Sequence, residues 1–290
     1  MSDARNSQLI TDANKAFYEL TAAEYDNMGR GMVVEVAKTN AANILARVPN
    51  IGSSITELMD FATGTGLLAM LLAPRCKSVT AVDQSEAMIQ QLQKKLEAQS
   101  DAGERIDNIV PIVRNILDDS VPSALQKFDV ITCTNSYHHI PEPEKVTQVL
   151  ASYLKPGGYL AVVDLIKTEE SAEFHNAPRT FEREDGSHKQ VEEFGAKPAD
   201  EHQRDTAAHG HESHHGHQHH EQSRHHGSSS GHKTHKHEHV IAHRGGFTDA
   251  EMEGFFSAAG LKLVNMGKSA QFVKDGKTYD NFLAIAQKAL

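Results

Sequence analysis

The sequence predicts an α/β domain whose sheet is mainly parallel, ends in a C-terminal antiparallel hairpin and carries helices on both faces. Three observations predict it. Strand-like and helix-like runs alternate from Ile55 to Asp164, which is the pattern of a parallel sheet flanked by helices. The first strand runs through Gly64-Thr65-Gly66 straight into a helix. Near the end of the chain LKLVNM and NFLAIAQ alternate as strands on either side of the turn-like KDGKT.

Taken in order, the spacing predicts helices over 11–20 and 31–47, which together make an N-terminal helical cap over residues 1–50. Strand 55–61 and helix 66–73 follow, then strand 78–82, helix 85–98 and strand 109–113. Strand 128–133, helix 143–154 and strand 159–164 complete the alternation. Pro111 lacks an N–H for the ladder, so the 109–113 strand belongs at a sheet edge. The late segment GFTDAEMEGFFSAAG reads as a helix: Thr248 and Glu251 form a capping box, Phe255 and Phe256 supply an apolar face, and Gly260 suits the C′ position. The catalytic-type domain is therefore expected over 51–167 and 244–290.

Residues 168–243 separate those two parts. The composition there shifts to His, Glu, Gln, Ser and Gly, with few residues able to offset the entropy of ordering, so a disordered insertion is expected. AEFHNAPRTF at its start is a candidate lid. Fourteen of the 19 histidines fall within 202–239. Imidazoles at that density bind Zn, Ni or Cu adventitiously, but the tract lacks the cysteines and regular spacing of a fixed four-ligand cage, so no defined metal site is expected.

Composition narrows the functions. Lys and Arg total 29 against 39 Asp and Glu, a formal charge of −10, which argues against a broad phosphate-binding face and hence against nucleic acid as partner. Cys76 and Cys133, with neither CxxC spacing nor further partners, read as buried thiols of an intracellular, reducing compartment, cytoplasmic or nuclear. MSDARNSQLITDANKAF has no apolar core, and no window approaches about eighteen apolar residues, so neither a signal peptide nor a membrane span is expected.

The chemistry-bearing motif is MDFATGTG. Glycines at a strand-to-helix turn let a ligand approach backbone that side chains would otherwise cover. Nineteen positions after Gly64, strand SVTAV ends in Asp83, a carboxylate placed to accept both hydroxyls of a ribose. Alone, the glycines could be a plain tight turn and Asp83 the cap of the next helix. The same residues also satisfy GxGxxA with an acid about twenty positions on, so an NAD(P)-dependent oxidoreductase is the local rival. A metal-binding or scaffolding protein that keeps a cofactor fold is the non-enzyme rival.

Five ordered segments separate these readings: MDFATGTG, AVDQSEAMI, FDVITCTNSYHHIPEPEKV, LKPGGYLAVVD and HRGGFTDAEMEGFFSAAGL. In these the chain resembles the class I S-adenosylmethionine-dependent methyltransferases, especially the small-molecule group that includes the ubiquinone and menaquinone biosynthesis enzymes. The resemblance implies a Rossmann-like fold, S-adenosylmethionine as cofactor and a small organic molecule as methyl acceptor. It implies that Asp60, Ala62, Gly64 and Gly66 form the loop around the methionine portion, that Asp83 binds the ribose, and that Met88 and Asn115 lie by the adenine. Gln84, Ile116 and Thr134 complete the implied cofactor set, and Tyr25 with Asp26 belongs to the segment that closes over it. The chain departs from the family at Ala62, where glycine is usual, and at Asn115, where an acid is usual. Asn115 can still hydrogen-bond an adenine amine.

Methyl transfer is an in-line displacement that mainly needs alignment, with a base only for acceptors that must lose a proton. His138 and His139 follow the fourth strand and are candidate bases, since an imidazole titrates near about 6.5. Tyr137 is a further catalytic candidate and, with Asp164, is placed to orient an acceptor. His243 has a similar position before the late helix.

Overall fold

The computed structural model describes residues 2–117, 127–175, 179–182, 188–191, 241–274 and 276–290. The chain opens with helices α1 (Ser2–Thr21) and α2 (Met28–Arg47). Gly29, Arg30 and Gly31 take left-handed backbone angles inside the α2 span, so the regular helix begins beyond Gly31, close to where periodicity starts it. Strand β1 (Glu57–Phe61), helix α3 (Leu67–Leu72), strand β2 (Ser78–Asp83), helix α4 (Glu86–Asp101) and strand β3 (Ile109–Val113) follow. Then come β4 (Phe128–Thr134), α5 (Pro143–Tyr153) and β5 (Leu154–Leu165). A short antiparallel pair, β6 (Arg179–Glu182) with β7 (His188–Val191), precedes α6 (Asp249–Ala258), β8 (Leu261–Lys274) and β9 (Lys277–Lys288).

The main sheet has the order β3-β2-β1-β4-β5-β9-β8. Its first five strands run parallel, and β9 is antiparallel to both β5 and β8. Pro111 sits on the edge strand β3, where its missing N–H faces away from the ladder. Within the sheet, successive residues of one strand enter opposite cores. Met59, Ile131, Val162 and Ala284 pack with α5 and α6 through Leu150, Met252 and Phe256. Leu58, Val130, Val163 and Leu283 pack on the other face with Ile44 of α2, Leu72 of α3 and Leu92 of α4. Helices thus cover both faces, which is why these strands read as continuous apolar runs.

The capping box forms as expected: Thr248 Oγ1 accepts from Glu251 N, and Glu251 accepts from Thr248 N. Gly260 follows the helix end with φ +71°. Both cysteines are buried and free, and burial pushes the Cys76 thiol up to about 11.

Three expectations change. The second helix of the proposed 1–50 cap is not a separate cap, because Ala41, Ile44 and Val48 belong to the sheet's own core. The C-terminal hairpin is longer than its apolar pattern: β8 continues past Met266 to Lys274. There it leaves β5 behind and packs Ala270 and Phe272 with Val36 of α2 and with Leu165, while Val273 is exposed, so a strict alternation is lost. The interval after Thr168 was expected to lack regular structure, yet Ser171–His175 forms a 3-10 turn and β6 pairs with β7. Backbone groups pair with one another whatever the side-chain pattern, so this pairing left little mark on the sequence. The histidine-rich tract at 202–239, with its expected disorder and metal affinity, lies outside the described residues. Among the described residues no helix is long and apolar enough to cross a membrane.

The chain rejoins the sheet at Gly245-Gly246-Phe247, where Phe247 N donates to Leu165 O at 3.0 Å. Gly246 has φ +83°, and a Cβ there would overlap the Leu165 carbonyl. Gly246→Ala should therefore lower unfolding free energy by about 2–4 kcal/mol, from left-handed strain plus the backbone clash. Gly254→Ala, in exposed α6 with open space around it, should instead raise it by about 0.5–1 kcal/mol. Urea unfolding of both variants checks the pair.

Candidate active site

The cavity forms where β1, β2 and β4 end side by side. After Phe61 the chain must turn sharply toward α3, and Ala62 does so with φ +54°, a left-handed angle costing alanine on the order of 1 kcal/mol. This explains physically why glycine suits position 62 better. Thr63 N donates to Val82 O at 3.0 Å, and Gly64 N donates to Asp83 Oδ2 at 2.8 Å, so β2 holds the loop from beside it. Gly66 has φ +79°, and a Cβ there would press into Leu92 of α4.

Asp60 supports the loop from below. It is 2% exposed and accepts from Thr63 Oγ1 at 2.6 Å and from Thr132 Oγ1 at 2.7 Å. Burial pushes its carboxyl up to about 6, against the lowering effect of the two hydroxyls. Burial also raises Asp83, whose Oδ1 accepts from Ser85 N at 2.9 Å. The cap of α4 is Ser85, which accepts from Met88 N. Asp83 is therefore not the helix cap, and beyond its backbone donors Ser85, Gly64 and Gln84 the carboxylate keeps acceptor capacity toward the cavity it lines.

Helix α1 forms the roof. Ser7, Thr11, Asn14, Lys15 and Tyr18 line the cavity. Glu19 ties the roof down by accepting from Glu86 N at 2.8 Å and Ala87 N at 3.1 Å, at the positive end of the α4 dipole. Asp26 accepts from Thr65 Oγ1 and, at 2.7 Å, from Lys95 Nζ, joining the segment after α1 to the glycine loop. The far wall comes from Phe174 in the turn after β5 and from Phe272, Val273 and Lys274 of the overhanging hairpin. The enclosed volume is about 850 Å³, at the upper part of the usual range of about 300–1,000 Å³ for small-molecule sites.

At one end of the cavity stand three imidazoles. His138, 4% exposed, has its ring 4.1 Å from that of His139 and 4.9 Å from that of His175. His138 Nδ1 lies 2.8 Å from Asp164 Oδ1, and His138 N donates to Asp164 Oδ2 at 3.1 Å. His139 Nε2 is 2.8 Å from Tyr18 OH, which fastens α1 to this end.

Nine of the eleven cofactor candidates line the cavity: Tyr25, Ala62, Gly64, Asp83, Gln84, Met88, Asn115, Ile116 and Thr134. Asp60 and Gly66 do not. Asp60 is turned inward to the two hydroxyls, and Gly66 serves the close approach of α3 to Leu92, so both shape the loop without facing a ligand. Tyr137 is a correction of the same kind. It is fully buried with its hydroxyl 3.1 Å from Thr147 Oγ1, packed on Phe247, and cannot touch an acceptor. Asp164 likewise faces His138 and not the cavity, while His139 and His138 both line it. His243 packs on Phe247, donates its backbone N to His138 O at 2.9 Å, and is lowered by burial; it lies outside the cavity wall. Glu19 and Phe272 were missed, and only the apolar character of Phe272 was visible in sequence; Phe174 falls in the segment AEFHNAPRTF that was expected as a lid. Among the described residues no group of three or more His, Cys, Asp or Glu is placed to hold a metal ion.

The strand order and the antiparallel β9–β8 closure set this fold apart from the dinucleotide-binding order 3-2-1-4-5-6, in which the sheet is parallel throughout. They define the Rossmann-like fold of the class I methyltransferases. Residues 59–160 match the family described as methyltransferase domain. The chain is 34% identical over 111 residues to an uncharacterised methyltransferase of Schizosaccharomyces pombe, covering 38% of this chain and 39% of that one. It is 31% identical over 113 residues to the ubiquinone biosynthesis O-methyltransferase of Marinobacter nauticus, covering 39% and 45%. The chain thus spans about two fifths of the length of these relatives. A structure of an S-adenosylmethionine-dependent methyltransferase from Clostridium acetobutylicum superposes with a TM-score of 0.56 over 94% of this chain and 99% of that one, at 14% identity, a likeness of fold.

The buried Asp60 carboxyl makes stability depend on pH. Its folded value of about 6 lies above the ordinary 3.8, so the folded state holds the proton more tightly than the unfolded chain. That contribution is complete below about pH 4 and is lost as pH rises through about 6. Compared with Asp60→Asn, the wild-type chain should lose on the order of 2 kcal/mol of unfolding free energy between pH 4 and pH 6.5. Parallel denaturant titrations of the two chains measure the difference.

Proposed function

We propose that this protein is an S-adenosylmethionine-dependent methyltransferase that transfers a methyl group to a small organic acceptor. The observation that carries the reading is Asp83, a half-buried carboxylate that lines the cavity, set against the Gly64 amide in a cavity of about 850 Å³ beside the matched segment. The residues fit the cofactor. Asp83 would accept the two ribose hydroxyls, Met88 and Ile116 would hold the adenine between apolar surfaces, and Asn115 would meet its edge. Its side-chain Oδ1 already accepts from Leu117 N at 3.0 Å, which leaves the amide N–H groups to donate to a ring nitrogen. Ala62 and Gly64 leave room for the methionine portion, and Tyr25 and Tyr18, in edge contact at 6.1 Å, close over it from the roof. Bound there, S-adenosylmethionine supplies an electrophilic methyl group.

The protein's own contribution is alignment and exclusion of water. Roof and hairpin enclose the acceptor end, so the acceptor is held rather than met by collision, which is worth several kcal/mol of barrier in well-aligned systems. The volume suits the cofactor together with a small partner. The histidine-rich tract has no part in this proposal.

Calorimetry with S-adenosylhomocysteine and with NAD tests it. The first should bind and the second should not; the reverse preference would overturn the reading. Asp83→Ala should weaken S-adenosylhomocysteine binding by about 1.5–3 kcal/mol, roughly tenfold to over a hundredfold, the worth of hydrogen bonds to a charged group. An unchanged dissociation constant would mean that Asp83 serves only the glycine loop.

A further inference from the structure

Resting on the methyltransferase reading, we propose that the acceptor is an organic anion, an apolar body carrying a carboxylate or a phosphate, and that Arg30 is the residue that selects it, with Lys274 beside it at the rim of the cavity.

The chain as a whole carries a formal charge of −10. The cavity reverses that sign: the cations Lys15, Arg30, Arg114 and Lys274 line it against the carboxylates Asp83 and Glu142. A cleft lined by one sign of charge focuses the field and draws in ligands of the other sign. S-adenosylmethionine is not that ligand, because its sulfonium and ammonium outnumber its carboxylate and leave it a net cation. Cofactor and lining together hold a positive surplus, and a negative charge on the acceptor offsets it. A neutral acceptor would leave the surplus unbalanced, and a protonated amine would add to it.

Two of the cations meet at one place. Gly29, Arg30 and Gly31 make a left-handed run at the start of α2. Those angles cost arginine more than glycine, and a residue held in them at a cavity wall points to a use for its side chain. Arg30 is exposed, lines the cavity and makes no side-chain hydrogen bond or ion pair among the described residues. Acids on the neighbouring segments are committed to lysines: Glu35 to Lys38, Glu173 to Lys277 and Asp280 to Lys268. Met32 Sδ accepts from Val273 N at 3.4 Å, which brings the start of α2 against the end of β8 and sets Arg30 and Lys274 on either side of one contact. Lys274 Nζ donates to Phe174 O and lies 5.1 Å from the centre of that ring. Met32, Phe174 and Phe272 pack in one apolar cluster there, the two phenylalanine rings 5.2 Å apart. A cationic rim against an apolar wall fits an amphiphilic anion, with its body on the phenylalanines. Its head meets the guanidinium, whose fork of N–H groups matches a carboxylate or a phosphate.

The test uses the full-length chain saturated with S-adenosylhomocysteine, which is uncharged overall and fills the cofactor part. Four probes share one naphthalene frame: 1-naphthoate, 1-naphthyl phosphate, 1-naphthylmethanol and 1-naphthylmethylammonium. Calorimetry should show at least one of the two anions bound about tenfold tighter than the alcohol, as for hydrogen bonds to a charged partner, and the ammonium weakest. Whichever anion binds tighter identifies the head group. Arg30→Gly removes the charge and relieves the left-handed strain; Arg30→Gln removes the charge alone. Each should cut the preference for the anion about three- to fivefold, the worth of a partly exposed ion pair, with the dissociation constant of S-adenosylhomocysteine unchanged. No binding of either anion, an anion no tighter than the alcohol, an ammonium that binds best, or a preference kept in either variant would overturn the proposal. Loss of S-adenosylhomocysteine in the variants would overturn it too, since Arg30 would then serve the cofactor. If wild type binds no S-adenosylhomocysteine, the methyltransferase reading fails and this proposal with it.

Discussion

The buried carboxyl of Asp60 joins the three pieces of backbone on which the cavity stands. It leaves β1, takes one hydroxyl from Thr63 in the glycine loop and the other from Thr132 in β4. Without it the Thr63 hydroxyl would lose its Asp60 partner, and Thr132 Oγ1 would keep only the 3.4 Å contact to Met59 O. Asp83 repeats the device from β2 by binding the Gly64 amide. Two acids with different jobs therefore face each other across a turn: one turned inward to build the loop, the other left with capacity toward the cavity. Burial raises both, with Asp83 raising Asp60 further and Glu19 raising Asp83, which is why such a pair belongs at a site and not in a featureless core.

The sheet supplies only the floor. Roof and far wall arrive from segments remote in sequence and are attached by few polar contacts. Glu19 caps α4 beside Ser85, Asp26 bridges Thr65 and Lys95, Arg47 donates to Lys268 O at 2.8 Å, and Asn281 of β9 donates to Asn135 in the loop after β4. Individually such contacts contribute on the order of 1 kcal/mol. Their effect is positional: they decide that α1 lies over the glycine loop and that the hairpin overhangs the site.

How much was legible varied with the kind of signal. Strand and helix alternation, the edge position announced by Pro111 and the Thr248–Glu251 box are local, and local physical chemistry decided them. The misplacements share one cause. Tyr137, His138 and His139 are consecutive residues of a single 3-10 turn, and they point into the core, at Asp164 and at Tyr18 respectively. Nothing in YHH tells which is which. Asp60 and Gly66 stand in the ligand loop, and only the directions of their hydrogen bonds and the nearness of Leu92 show that they shape it from behind.

By itself the sequence determined the class of fold, the place of the glycine loop, the ribose-type carboxylate at the next strand end and the break in the domain after β5, because each depends on neighbours within about a turn or a strand length. Tertiary structure alone decided that α2 belongs to the sheet's core, that β8 and β9 extend beyond β5 to wall the cavity, and that Asp164, 26 positions beyond His138, lies against that ring. Those outcomes depend on contacts between distant segments, where packing and the satisfaction of buried polar groups, rather than local preference, select the arrangement.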